Sequence, residues 1–261
     1  MNMENDSDVM EPNHLADAII YEDADVVVIN KPSGIAVHGD GKGVQATVVD
    51  WLRTYAPECV GVGETDTQSD TGTIIDRSGI VHRLDKDTSG VLLLVKHQSA
   101  HTHYKKQFHD RLVTKIYRAF VYGEVKEWVG TIDRPIGRSA KDWRRRSAER
   151  GAKGVLRDAV TRYELIGNGM VDGEWFSYLD LFPETGRTHQ LRVHLKAINH
   201  PIVQDPLYAG KRCAQSHNVG FDRLALHAHI LEVVSPGGDP LRLIAPVPQS
   251  FHIAADSIAT D

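Results

Sequence analysis

Cysteine is nearly missing from the 261 residues: there are two, Cys59 and Cys213, far apart and outside any C-x-x-C spacing. That excludes a disulfide framework and a cysteine-ligated zinc site, and it suits a reducing cytoplasm. Long apolar runs are missing too. The longest unbroken aliphatic stretch, Val91 to Val95, is far short of the roughly 20 residues that span a bilayer. The opening MNMENDSDVMEPN is acidic and holds no apolar segment, so no signal peptide is expected. No repeat at solenoid or propeller periods is visible. A chain of this length can bury a core without disulfides or structural metal, and the expectation is a soluble, cytoplasmic, monomeric protein with no membrane contact.

Positive charge is also short overall, with a net charge of −5, but it is unevenly spread. Residues 1–80 carry 4 Lys/Arg against 15 Asp/Glu, and residues 81–261 carry 26 against 20. Phosphate binding needs a local positive surface, because fields act over a Debye length of about 8–10 Å. Residues 134–157 supply one, with nine basic residues, Arg144, Arg145 and Arg146 among them, against two acids. A solvated loop would read the same way by composition alone.

Residues 1–17 lack apolar periodicity and are expected to be a disordered acidic tail. From 18 to 255 one domain is expected. Asp25 to Asn30 and Gly90 to Lys96 read as buried strands, Ala46 to Ala56 and Ser99 to Arg111 as helices, and residues 60–78 as a polar surface loop. From Lys115 onward strands dominate, with Gly130–Gly137 read as one of them. Thr188–Asn199 stands out as a helix with Thr188 as candidate N-cap. The class is therefore α+β, a large mixed or antiparallel sheet flanked by helices and loops.

Three clusters carry potential chemistry. His82-Arg83-Leu84-Asp85-Lys86-Asp87-Thr88-Ser89-Gly90 places Asp85 on a turn beside a strand, where catalytic groups often sit. Taken alone, an Asp in such a turn is more often a backbone cap than a catalyst. Thr185-Gly186-Arg187-Thr188-His189-Gln190 delivers Arg187 to the start of a helix, and Lys115 to Gly123 holds Tyr117 on an aromatic strand. A charged helix face and a half-buried strand are their plainer readings.

Together these clusters resemble the RluA-type pseudouridine synthases, from about residue 18 to 250 and in the family's order. HRLDKDTSG is similar to the catalytic-loop motif with Asp85 at its aspartate, and Asn30 to His38 resembles the motif that opens the catalytic domain. Tyr117 falls on the active-site tyrosine and Arg187, in TGRTHQLRVH, on the active-site arginine. Leu226-His227-Ala228 fits a later segment in which Leu226 would wall the uridine pocket. His82, Arg83 and Leu84 would bind substrate beside Asp85. Two departures stand out. Gln204-Asp205-Pro206-Leu207-Tyr208-Ala209-Gly210 replaces the usual Gly-Asp and adds Ala209. The small N-terminal RNA-binding domain of many members has no counterpart in the acidic stretch.

The resemblance implies conversion of uridine to pseudouridine without cofactor or metal: the glycosidic bond breaks, the uracil turns over and rejoins through C5. Asp85 would act at C1′, at C2′ or at C6 of the base. Burial tends to protonate a carboxylate, and a guanidinium opposes this. Arg187 would supply it in a two-point fork, and Tyr117 would stack on the uracil. The RNA is expected to be ribosomal (23S-type), with transfer RNA as the alternative. Two other classes compete with this reading. A non-catalytic RNA-binding module has no use for a carboxylate facing phosphate. A metal-dependent hydrolase is suggested by His101/His103 and His227/His229, but no ligand pattern accompanies them.

Overall fold

A computed structural model describes residues 12–39, 46–63, 66–67, 74–75, 77–149, 151–215 and 217–259. They pack as two compact units, one drawn from residues 1–110 and 234–239, the other from 111–233 and 240–261. The class is α+β with antiparallel pairing prominent in both units. Among the described residues no helix is long and apolar enough to cross a membrane.

The first unit begins with a 3-10 helix, Pro12–Ala18. This corrects the expected tail over residues 12–17, residues 1–11 lying outside those described: Leu15 is fully buried and anchors the turn, and a single apolar anchor leaves no periodicity to read. β1 (Ile19–Glu22) and β2 (Val26–Lys31) pair antiparallel. α1 (Val48–Tyr55) follows. Its start is fixed by Thr47, whose hydroxyl accepts from the Asp50 N–H while the Asp50 carboxylate accepts from the Thr47 N–H at 2.9 Å, a reciprocal cap. The residues read as a surface loop include two short strands, β3 (Asp66–Thr67) and β4 (Ile74–Ile75). β5 (Ser89–Val95) is buried at every residue and pairs β2 from Val26↔Val95 to Lys31↔Gly90. A strand without a wet face reads as a continuous apolar run rather than an alternation. α2 (Gln98–His109) closes the unit.

The second unit is built on β6 (Thr114–Tyr122), β7 (Val129–Asp133), β11 (Val160–Val171), β12 (Glu174–Pro183) and β13 (Leu226–Val234), in the order β13-β6-β12-β11-β7. β14 (Pro240–Ile244) pairs β13. The strand expected over Gly130–Gly137 is two, because Arg134-Pro135 interrupts it and proline cannot donate to a ladder. Its second half, β8 (Ile136–Arg138), joins β9 (Arg146–Ser147) and β10 (Lys153–Arg157) in a separate small sheet ordered β10-β8-β9. α3 (Gln190–Ala197), the single turn α4 (Arg212–Gln215) and α5 (Gln249–Ala259) complete it.

Phe120, Tyr178, Phe221 and Phe251 centre the core, with the Phe120 and Tyr178 rings stacked at 4.4 Å. α5 lies so close to β11 that a Cβ on Gly169 would meet the Ile258 carbonyl oxygen at 2.0 Å; glycine is required there. α3 begins one residue later than expected. Its N-cap is His189, in the left-handed region at φ 56°, with no side-chain cap.

Candidate active site

In the first unit, the segment carrying Asp85 is stapled to the turn after β2. Lys31 has no exposed surface. Its ammonium donates to the carbonyls of Pro32 (2.7 Å), Ile35 (2.9 Å) and Lys86 (3.0 Å). The Gly34 N–H donates to the same Lys86 carbonyl at 3.0 Å, from a φ of 87° that glycine adopts without strain. The Ser33 hydroxyl donates to the Asp87 carbonyl at 2.7 Å, and the Thr88 N–H to that of Asp85 at 3.1 Å. Asp85 itself is half-buried.

Its neighbours divide by task. Leu84 is buried. His82 Nε2 accepts from the Leu93 N–H at 2.9 Å, and its ring stacks on Phe108 at 4.6 Å. Those contacts tie His82 to the frame, so it fixes the loop. Arg83 is exposed, and its Nη1 donates to His38 Nε2 at 2.8 Å.

In the second unit Tyr117 is half-buried on β6 and packs against the core. Tyr117 faces Ala228 and Ala119 faces Leu226 across the β6–β13 ladder. The alternation of strands therefore puts Tyr117 and the buried Leu226 on one face as diagonal neighbours. Arg118 points the other way, 3.2 Å from Asp180.

Arg187 is held by a hub at Gln190. Gln190 Oε1 accepts from the Thr185 hydroxyl (2.7 Å) and from the Arg187 N–H (3.0 Å), while its Nε2 donates to the Val160 carbonyl (2.9 Å) and Thr161 Oγ1 (3.0 Å). The Arg187 guanidinium donates from Nε to the Asp158 carbonyl at 3.1 Å.

The basic segment 134–157 is an arm made of the small sheet, rooted by Ile136, Ala159, Val193 and Tyr208. Trp143 on it is 88% exposed. Asp142 grips Arg144 through Nε (3.1 Å) and Nη2 (2.9 Å) and lies 3.5 Å from Arg145. The Arg146 N–H donates to the Tyr208 hydroxyl at 2.9 Å, and that hydroxyl meets His189 Nδ1 at 2.8 Å. Having accepted from Arg146, the hydroxyl has its own proton to give His189. Tyr208 is set in turn by Asp205, whose carboxylate accepts from the Leu207 and Tyr208 N–H groups and forms a buried two-point pair with Arg192 at 2.7 and 2.8 Å. The departing Gln204 takes φ 55°, a left-handed backbone that suits the glycine usual there. The added Ala209 is buried in the core.

The structure thus groups His82 to Asp85 on one loop and sets Tyr117 beside Leu226. Arg187 stands in its own hydrogen-bonded turn, and Arg144 to Arg146 lie on the arm. Lys31, Gln190 and Tyr208 are functional supports to which sequence reading assigned no role. All three lie in or beside the motif segments, but most of their partners are backbone groups or side chains remote in sequence.

Known proteins resemble this chain over most of its length. The model of the RNA pseudouridylate synthase family matches residues 25–197. An uncharacterized RNA pseudouridine synthase of Synechocystis sp. is 38% identical over 90% of this chain and 66% of that one. Ribosomal large subunit pseudouridine synthase D of Escherichia coli K12 is 34% identical over 92% and 70%. The chain thus spans about two thirds of the length of these relatives. The solved structure of human RNA pseudouridylate synthase domain containing 1 superposes with a TM-score of 0.68 at 27% identity, covering 88% of this chain and 83% of that one. The chain belongs to the RNA pseudouridylate synthase family. Its enzyme class is that of an isomerase acting on uridine in RNA.

Proposed function

We propose that this chain converts specific uridines of ribosomal RNA to pseudouridine, with Asp85 as the catalytic carboxylate. The observation that carries the reading is the loop around Asp85. Lys31, Ser33 and Gly34 hold the carbonyls of Lys86 and Asp87 immediately after it. Three bonds spent on two carbonyls next to one half-buried carboxylate fix where that carboxylate points, and positioning supplies much of an enzyme's rate. A backbone cap would need no such frame. The choice of ribosomal RNA rests on likeness to the Escherichia coli synthase of the large ribosomal subunit, with transfer RNA as the alternative.

A stacked uridine shields its glycosidic bond, so the target nucleotide is flipped out at a cost of roughly a few kcal/mol. Asp85 then acts on the flipped nucleotide, the N1–C1′ bond breaks, and the freed uracil turns within the site before C5 bonds to C1′ and gives up its proton. The roles of Tyr117, Leu226 and Arg187 toward the uridine rest on the family motifs. The exposed arm, with Trp143 and the arginines, supplies contacts to the surrounding RNA.

The test is Asp85→Asn, which keeps shape and removes charge. Tritium release from 5-tritiated uridine in large-subunit RNA is expected to vanish, while the melting curve and RNA binding stay near wild type. Substantial turnover in the variant sinks Asp85. Pseudouridine mapping of cellular RNA with and without the gene decides between ribosomal and transfer RNA.

A further inference from the structure

Beside the Asp85 loop, within the first unit, lies a cavity of about 140 Å³ lined by His38, Arg77, Val81, His82, Arg83 and Lys105, with Ile80 completing its wall. We propose that it is a phosphate subsite, which receives one phosphodiester of the RNA next to the target uridine. The inference rests on the RNA-modifying reading above and names what that loop binds besides the base.

Three permanent cations share this small space. His38 is neutral: its Nδ1 donates to the Gly39 carbonyl at 2.8 Å, so Nε2 is left to accept from the Arg83 guanidinium, which can only donate. His82 is committed in the same sense, since its Nε2 accepts the Leu93 N–H. The two imidazoles therefore orient the cavity without adding charge to it. The charges come from Arg77, Arg83 and Lys105. Desolvation of its head group lowers the pKa of Arg83 although the side chain as a whole is exposed; Asp85 pulls it back up and Arg77 pushes it further down. Guanidiniums close enough to repel each other are a poor way to stabilise a fold and a good way to hold an anion.

Size and place narrow the ligand. Sites for whole small molecules run to roughly 300–1,000 Å³, so this cavity takes a group rather than a nucleotide. Arg83 sits two residues from Asp85 on the same loop, the separation expected between a reacting nucleotide and a phosphate of its own backbone. A phosphodiester on Arg83, Arg77 and Lys105 would register the strand against the carboxylate, since phosphate contacts position and base contacts specify.

The experiment uses the full chain and a large-subunit ribosomal RNA transcript carrying 5-tritiated uridine. Arg77→Gln and Lys105→Gln are each expected to raise KM several-fold, with kcat falling less. Each is also expected to make the salt dependence of RNA binding shallower by about 0.7–0.9 per lost contact. Lys105→Arg keeps the charge and is expected to restore the wild-type slope, which separates lost charge from lost packing. Unchanged KM and slope in both Gln variants overturn the subsite while leaving the synthase reading intact. A fall in kcat at unchanged KM also overturns it, because the cavity would then act on the base or ribose. Millimolar inorganic phosphate that raises the melting temperature only when Lys105 is present, with RNA KM unaffected by the variants, would assign the cavity to free phosphate and overturn the RNA proposal. If wild type binds RNA with the expected variant dependence but releases no tritium, the subsite stands and the enzymatic reading falls.

Discussion

The buried ammonium of Lys31 lies 3.0 Å from the carbonyl oxygen of Lys86, one residue past Asp85 and 55 residues away in sequence. A buried lysine is costly unless its donors are satisfied, and here the Pro32 and Ile35 carbonyls share the task. Lys31→Met keeps the stem and removes the donors. The Lys86 carbonyl keeps its Gly34 N–H, but the bond lost at the Ile35 carbonyl is buried, and an unsatisfied buried carbonyl costs about 1–3 kcal/mol, so melting should move down. With one of its three ties gone and those of Ser33 and Gly34 left, the Asp85 loop should loosen, and a misplacement of about 1 Å can cost on the order of 100-fold in rate. Tritium release and melting curves measure both. Wild-type turnover in a folded variant would show that Lys31 holds only the turn after β2.

Much of this frame is legible in the sequence and part of it is not. The place of Asp85 is readable because the turn sequence Asp87 to Gly90 follows it and leads into Gly90 to Lys96, whose apolar run reads as a buried strand; its role is readable only from the likeness of its motif to the family's catalytic loop. The role of Lys31 is not, because its partners are carbonyls, and every residue has one. Pro135 marks a break that the strand pattern of Gly130–Gly137 masks, so the small sheet of the arm, whose residues read as a basic loop, is not legible. His189 reads as a helical residue, yet it caps α3 from a left-handed backbone.

Tyr208 ties the arm to the turn that carries Arg187. Tyr208→Phe keeps the ring, and with it the Arg192 guanidinium 5.1 Å from the centroid, but removes the acceptor of the Arg146 N–H and the partner of His189. The core is expected to survive, since the Asp205 bonds to Leu207 and Tyr208 use backbone N–H groups. The arm is expected to loosen. Hydrogen exchange over residues 139–149 should speed up and KM for RNA should rise. Unaltered exchange at Arg146 would remove Tyr208 from this role.

His227, fully buried, offers a pH signature. Burial pulls its imidazole down to about 4; His229, Arg223 and Arg118 push the same way, against the Ala245 carbonyl at 3.4 Å. An unfolded chain takes up this proton near pH 6.5 and the folded one near 4. The contribution of neutral His227 is therefore complete above about 6.5 and lost as pH falls toward 4, by at most about 3 kcal/mol. Imidazole resonances should show His227 still neutral at pH 5, with the melting temperature falling across that window. A His227 titration near 6.5 would contradict this.

The arm's arginines are not equivalent, and that shapes how they should read out. Hydrogen bonds from Arg144, with Arg145 adding to the field, hold the Asp142 carboxyl down to about 2, so it stays charged through the neutral range. Exposed pairs of this kind contribute little to stability, but Asp142 competes with phosphate for both guanidiniums. Replacing Arg144, Arg145 and Arg146 by Ala is therefore expected to weaken RNA binding and flatten its salt dependence. The change should be smaller than three full contacts at about 0.7–0.9 each, because Asp142 already engages the Arg144 and Arg145 guanidiniums and keeps them from contacting phosphate in full. Asp142→Asn is expected to act in the opposite direction, tightening binding and steepening the slope. Filter binding across a salt series measures both. If neither variant moves the slope, the arm is a solvated excursion and RNA is held elsewhere.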